Sequence, residues 1–169
     1  MSELKYKIVD SFLPQPIFNS IKSIILGRDF PWFYNPSVTY TEYNDKTEEH
    51  LDNYYFTHIF YYDNSPSYFL NVLNPLLEKI KTQKIIRVKG NLRTRTTNVI
   101  INQPHKDFDY SHKGAIYYLN TNNGFTVLND GTKIESIENR ILFFDPSISH
   151  SSTTCSNEKI RCNININYY

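Results

Sequence analysis

The chain has 169 residues, a length that fits one compact domain with a buried core rather than several. Its net charge of +1 gives no overall pull toward nucleic acid or an anionic membrane surface, and no apolar run approaches the ~20 residues needed to span a bilayer. Aromatic residues make up 15% of the chain, 14 Tyr and 11 Phe among them, a flat apolar mass that suits pleated surfaces and tilts the reading toward β structure.

Tyr6-Lys7-Ile8-Val9-Asp10 alternates weakly and runs into Phe12-Leu13-Pro14, which predicts a short strand and a turn. From Pro16 to Leu26 the spacing of Ile17, Ile21, Ile24 and Ile25 predicts an amphipathic helix stopped at Gly27. The aromatic stretch Phe30 to Pro36 holds Trp32 and Tyr34 between two prolines, so it is no helix interior, and its rings either cover the core or line a mouth. With the polar, acidic stretch from Thr41 to Asp52 it reads as a loop, Phe30 to Asp52, over a pocket mouth and choosing the substrate. His50 and His58 fall in or near this region; each reads more simply as a surface or packing histidine than as a metal ligand.

Ser65 or Ser67 is placed to cap a helix carrying Phe69, Leu70, Leu73, Leu76, Leu77 and Ile80, with Pro75 kinking or dividing it. Beyond Lys84 the pattern becomes short runs between turn residues. Strands are expected near Ile85 to Leu92, Thr94 to Ile101, Gly114 to Asn120, Phe125 to Asn129, Lys133 to Ile137, Arg140 to Phe144, Ser149 to Thr153 and Lys159 to Tyr168. Asn129-Asp130-Gly131 is a hairpin signal and Thr121 to Gly124 a turn. Eight such strands make a jelly roll, a mainly β domain with N-terminal helices. Lys79, Lys81, Lys84, Arg87, Lys89, Arg93 and Arg95 form a basic run that strand alternation would split between two faces. Only an aligned stripe would favour phosphate contact, so nucleic acid is a partner the run permits but does not favour.

Cys155 and Cys162 flank the turn before the last strand and could pair, but no disulfide framework or Cys-x-x-Cys spacing is present, so reduced thiols are the plainer reading. Residues 1–10 carry Glu3, Lys5 and Lys7 and no apolar h-region, so no signal peptide is expected and the expected location is cytoplasmic.

His105-Lys106-Asp107 places two ligand-type side chains on the same side of an extended backbone, and Gln103-Pro104 before it marks a strand end. His150 lies 45 residues further on and can return from an opposing sheet. Two imidazoles and one carboxylate can occupy one face of an octahedral metal and leave three positions open, the ligand set of non-haem Fe(II) oxygenases. Asp109 and His112 are local rivals for Asp107 and His105, and read more simply as orienting groups or substrate contacts. Arg161 offers a fixed cation on the last strand, with Lys159 as its rival.

The sequence His105-Lys106-Asp107, then Ala115 to Asn120, then Leu142-Phe143-Phe144 leading to His150, then Arg161 opening a strand that ends Asn167-Tyr168-Tyr169, resembles Fe(II)- and 2-oxoglutarate-dependent dioxygenases of the prolyl 4-hydroxylase type. Asn120-Thr121-Asn122-Asn123-Gly124-Phe125-Thr126 and the ending Asn163 to Tyr168 look especially like members carried by marine bacteriophages. The resemblance covers residues 84–169 well, and residues 1–83 in their order of strand, helix and Phe-Pro-Trp. It implies a double-stranded β-helix core at 84–169 braced by 1–83, with His105, Asp107 and His150 holding Fe(II). It further implies that Arg161 binds the distal carboxylate of 2-oxoglutarate, helped by Tyr118 and with Asn163 on the same face. The implied reaction consumes 2-oxoglutarate and O2, releases succinate and CO2 and hydroxylates a substrate, with a prolyl or other protein side chain favoured over a small molecule. Trp32, Tyr34, Asp109 and His112 are the candidate substrate contacts. A host-cytoplasm location follows if the chain is phage-encoded. A cupin-like metal isomerase with the same ligands, and a non-enzymatic binding module on the same fold, are the competing readings.

Overall fold

The computed structural model describes residues 6–36 and 54–169. The expected acidic loop from Thr41 to Asp52, His50 included, lies outside the described residues.

Among the described residues, eleven strands form two sheets. The larger runs in the order β1 (Tyr6–Val9), β9 (Ile141–Phe144), β6 (Lys113–Tyr118), β11 (Ile160–Tyr168), β5 (Ile85–Thr94), β3 (Tyr55–Tyr62), β2 (Phe33–Asn35), with β4 (Ser65–Pro66) paired to β3. The smaller sheet is β10 (His150–Ser152), β7 (Phe125–Leu128), β8 (Lys133–Glu135). Every pairing is antiparallel. Two single bridges, Ile101 with Thr153 and His105 with His150, extend the smaller sheet beyond β10. The two facing sheets are a double-stranded β-helix.

Alternation divides the large sheet into two chemically different faces. Cys162, Ile164, Ile166 and Tyr168 of β11 point into the main core with Ala115 and Tyr117 of β6. Helix α1 (Gln15–Ile25) seals that core with Phe18, Ile21 and Ile25, leaving Ile17 and Ile24 outside. The helix therefore turns about Phe18 rather than about all four isoleucines. The opposite face carries Ile116, Tyr118 and Leu142, which meet Leu128 and Ile134 of the smaller sheet in a second, smaller core.

The stretch before β5 is divided as Pro75 demands: a 3-10 turn at Leu70–Leu73, then α2 (Asn74–Ile80) with Pro75 in its first turn. Neither Ser65 nor Ser67 caps it in the expected way. Ser65 belongs to β4, and the Ser67 hydroxyl accepts from Phe69 N at 3.2 Å, ahead of the turn. The expected strand Thr94 to Ile101 is absent, because side-chain bonds replace ladder bonds there. Thr96 Oγ1 donates to Asn98 O at 2.6 Å, and Ile100 N donates to Thr154 Oγ1 at 2.8 Å. Gly131, at φ +84, closes the β7–β8 hairpin. Both cysteines are buried and free. No helix among the described residues is long and apolar enough to cross a membrane.

Candidate active site

The backbone brings His105 and His150 together directly. His105 N donates to His150 O and His150 N to His105 O, both at 2.9 Å, so the two residues form one antiparallel bridge despite their separation in sequence. Their rings lie 4.6 Å apart, centroid to centroid. Asp107, two residues on, donates its N–H to Pro146 O at 3.0 Å and aims its carboxylate at the same point. One ligand atom from each of His105, Asp107 and His150 lies within 4.8 Å of the others.

Each ligand is oriented by its neighbours. His150 Nδ1 is 3.0 Å from Ile148 O, a contact only a protonated Nδ1 can make, which leaves Nε2 with a free lone pair. Asp107 Oδ1 accepts from Arg87 Nη2 at 3.0 Å, while Oδ2 accepts from Asn165 Nδ2 at 3.0 Å and Asn167 Nδ2 at 2.9 Å. Burial resists ionisation of this carboxyl, but Arg87, His150 and the two amides outweigh it and hold its pKa below the ordinary range. For His105, burial and then His150 depress the imidazole pKa against the pull of Asp107, which favours the neutral, ligating form. His105 Nδ1 is buried without a partner among the described residues. A carboxylate and two imidazoles converging on one side of a cleft are a donor set that fits a divalent iron ion.

The cleft has a volume of about 800 Å³ and runs from these residues to Arg161 and Asn163. Arg161 is 1% exposed. Its Nε donates to Ser136 Oγ at 2.9 Å and its Nη2 to Thr126 Oγ1 at 3.3 Å. No carboxylate pairs with it among the described residues. A Cβ at Gly124 would sit 2.6 Å from Arg161 Cδ and 2.5 Å from Thr154 O, so the glycine in the Asn122-Asn123-Gly124 turn is what lets this side chain through. Tyr118 is fully buried behind the cleft, its hydroxyl 2.8 Å from Thr126 Oγ1 and its ring 5.8 Å from the guanidinium. Asn163 lines the cleft and accepts from Asn91 Nδ2 at 3.2 Å. Lys159 is exposed and outside it.

The four candidate substrate contacts fall elsewhere. Trp32 packs on Phe30 and donates Nε1–H to Ile25 O at 3.2 Å, Tyr34 is 62% exposed beside Tyr54 and Phe56, and Asp109 is exposed. His112 is buried; its Nδ1 faces Tyr110 O at 2.8 Å, so its Nε2 accepts from Asn167 Nδ2 at 3.1 Å. Among the described residues, Asn35 and Pro36 of the expected Phe30 to Asp52 loop line the cleft, together with Tyr55. His58 is a packing histidine, between Pro31 O at 2.8 Å and Ser67 Oγ at 3.0 Å.

Sequence reasoning passed over two groups and misplaced a third. Asn165 and Asn167 continue the face of Arg161 and Asn163 at steps of two, a regular Asn-Ile alternation in which the polar face supports Asp107. Thr126 and Ser136 anchor Arg161 from the smaller sheet, and no local pattern in their strands points to it. Arg87, Lys89 and Arg93 split away from the basic run and line the cleft from β5.

No family model and no curated protein matches the sequence. Solved structures do match the fold. The viral collagen prolyl hydroxylase of Paramecium Bursaria Chlorella virus-1, solved as a 2OG complex, superposes with a TM-score of 0.62 at 13% identity over 97% of this chain and 94% of that one. A Pseudomonas putida prolyl-4-hydroxylase gives 0.59 at 12% identity over 97% and 91%. A Trichoplax adhaerens prolyl hydroxylase, solved with a peptide fragment of the hypoxia inducible factor oxygen degradation domain, gives 0.67 at 14% identity over 98% and 83%. At such identities the likeness is one of fold: this chain is built on the same double-stranded β-helix as prolyl hydroxylases and 2OG-Fe(II) oxygenases.

Proposed function

We propose that the chain is an Fe(II)- and 2-oxoglutarate-dependent oxygenase that hydroxylates its substrate, with residues 84–169 as the catalytic core and 1–83 bracing it. One observation carries the reading: a His-Asp-His set and a buried arginine without a carboxylate partner among the described residues open onto the same cleft. His105, Asp107 and His150 would hold the iron. Arg161 would take the distal carboxylate of 2-oxoglutarate, since a guanidinium offers a planar donor fork and a buried one lacks water to compete with the ligand. Bound together, iron and 2-oxoglutarate supply the chemistry that activates dioxygen, leaving succinate, CO2 and a hydroxylated substrate.

The chain's own part is positioning. Ile148 O fixes the His150 tautomer, and Asn165 and Asn167 hold Asp107 Oδ2 so that Oδ1 faces the histidines, 4.0 Å from His105 Nε2. Tyr118, through Thr126, stiffens the hydroxyl that steers Arg161, with Asn163 beside it on the same strand face. No side chain needs to act as nucleophile or titrating base. Among substrates, a prolyl or other protein side chain is favoured by the prolyl hydroxylases among the similar structures.

The test is anaerobic titration of 2-oxoglutarate into the Fe(II) protein, following the metal-to-ligand charge-transfer absorption, and then admission of air. The expected outcome is the charge-transfer band and succinate formation dependent on the protein. Succinate no faster than with free iron, in protein that has bound Fe(II), would leave a metal-binding isomerase or binding module as the better reading.

A further inference from the structure

Five cationic side chains line the cleft, Arg87, Lys89, Arg93, Lys106 and Arg161, against one carboxylate, Asp107. The proposed ligands do not balance them: a divalent iron and a doubly charged 2-oxoglutarate cancel, and Arg87 is paired with Asp107 at 3.0 Å. The lining then keeps a net excess of four positive charges among the described residues, wherever in the cleft 2-oxoglutarate lies.

Two of them are held on β5. Alternation sends Val88 and Leu92 to the main core and Arg87, Lys89, Asn91 and Arg93 into the cleft. Arg93 is 4% exposed, donates from Nη1 to Tyr54 O at 3.2 Å and from Nη2 to Asn102 Oδ1, and leaves Nε buried without a partner. All its partners among the described residues are neutral. It also stands opposite Arg161 in the β5–β11 ladder, and burial together with that neighbour lowers its pKa to about 10. Lys89 Nζ is held by Tyr55 Oη at 3.0 Å, with the ammonium 5.1 Å from the centre of the Tyr55 ring. A buried charge with no counter-charge is costly, several kcal/mol even after relaxation, and two side by side cost more. A strut bridging Tyr54 and Asn102 would need only a neutral donor.

We propose that the substrate of this cleft carries an oxyanion, a carboxylate or a phosphate, and that Arg93 and Lys89 bind it beside the metal. This rests on the oxygenase reading for the identity of the other ligands. The oxyanion would complete Arg93, replace part of the hydration of Lys89, and hold the reacting carbon at a fixed distance from the iron. Substrates without such a group would leave the pair unpaired and be discriminated against.

The probes are inorganic phosphate and acetate, titrated separately into Mn(II)-loaded protein saturated with 2-oxoglutarate. Relaxation of the phosphate ³¹P and acetate methyl ¹H signals by Mn(II) reports binding near the metal, and the tighter of the two names the oxyanion. Saturable binding is expected, weakened at least about tenfold by Arg93→Gln and by Lys89→Gln, with 2-oxoglutarate affinity changed less than about threefold. Lys89 is only half-buried, so its variant keeps the test open if Arg93→Gln misfolds. Three results overturn the proposal: no saturable anion binding in wild-type protein that holds Mn(II) and 2-oxoglutarate, binding equal in both variants, or a tenfold loss of 2-oxoglutarate affinity in Arg93→Gln, which would assign that guanidinium to the co-substrate. Failure of the wild-type protein to bind Mn(II), read by electron paramagnetic resonance, would instead defeat the oxygenase reading. Calorimetric titration of the metal-free protein with the same anions then decides the anion site by itself, binding sensitive to both variants supporting it and insensitive or absent binding ending it.

Discussion

The two faces of β11 differ in what they leave undone. On one, Cys162, Ile164, Ile166 and Tyr168 are closed into a packed core. On the other, Arg161, Asn163, Asn165 and Asn167 run along the cleft side, and the five buried side-chain polar atoms without a partner among the described residues belong to this side: Arg87 Nε, Arg93 Nε, His105 Nδ1, Asn165 Oδ1 and Asn167 Oδ1. Buried polar groups are nearly always satisfied in a folded protein. Their concentration around one cleft marks the side of the strand whose polar groups are least satisfied among the described residues. One face holds the fold; the other is shaped for what binds.

The largest separation of the two faces is expected at the metal ligands. His150→Ala removes a coordinate bond and should weaken divalent-metal binding more than about 100-fold, since even oriented outer partners are worth 10- to 100-fold. Calorimetric metal titration measures it, and wild-type affinity would break the ligand assignment. Arg161→Met should next raise the 2-oxoglutarate dissociation constant more than tenfold, on the order of 2 to 5 kcal/mol, while metal binding survives. The ligand-free variant should unfold at the same or a higher denaturant concentration, because the mutation removes an uncompensated buried charge. Tyr118→Phe should cost the co-substrate about 1 to 2 kcal/mol and Lys159→Ala nothing measurable. A ligand-free Arg161→Met protein that is strongly destabilised would make Arg161 a structural residue instead.

The opposite signature belongs to the core face. Ile164→Ala, one residue before Asn165, should cost about 2 to 5 kcal/mol of stability in urea unfolding while metal affinity stays close to wild type. Asn167→Ala should invert this: it frees Asp107 Oδ2 and His112 Nε2 of one donor and should lower metal affinity about 10-fold or more, with a smaller change in stability. Equal effects of Ile164→Ala and Asn167→Ala on both readouts would mean that the faces are not separable.

What could be read in the sequence follows the same division. The pair His105 and Asp107 is local, and extended backbone puts both side chains on one side whatever the rest of the fold does, so it was legible. His150 was legible only as a residue able to return; the two mutual backbone bonds that bring it to His105 depend on the smaller sheet forming. For β5 the expected split of the basic run does not occur: Arg87, Lys89 and Arg93 are separated by even steps and share one face, and which face that is gets decided when β3 and β11 pair on either side. The aromatic segment stayed ambiguous for a related reason, and it divides: Asn35 and Pro36 line the cleft. Its ring content suits a core as well as a mouth, and Trp32 went to the core, against Gly90 and Phe30. The gap at residues 95–100 was invisible because β-branched threonines favour strands, and only the nearness of Thr154 turns their hydroxyls against the ladder.

The smallest expected effect compares two imidazoles, one sealed and one open. His58 is 4% exposed among Phe30, Phe60 and Phe69, with Nδ1–H donated to Pro31 O and Nε2 accepting from Ser67 Oγ. Burial pulls its pKa below 6.5, more than the Pro31 carbonyl raises it. A base with a depressed folded pKa takes its proton first in the unfolded chain. Its contribution to stability is therefore complete above about pH 6.5 and is lost as pH falls from there through the folded value, at no more than about 1.4 kcal/mol per pH unit for one proton. His105 shifts in the same direction, but it faces the cleft, where a metal competes for the same lone pair. Urea unfolding of metal-free protein between pH 8 and 5 should show the decline in the wild type and a shallower one in His58→Gln, a difference between the two proteins that added Mn(II) leaves unchanged. The remaining slope, from His105, should steepen with Mn(II), because protons must then displace the metal from the folded state. A wild-type slope unchanged by His58→Gln would mean that His58 is neutral in both states over this range, and a remaining slope indifferent to Mn(II) would remove His105 from the metal site.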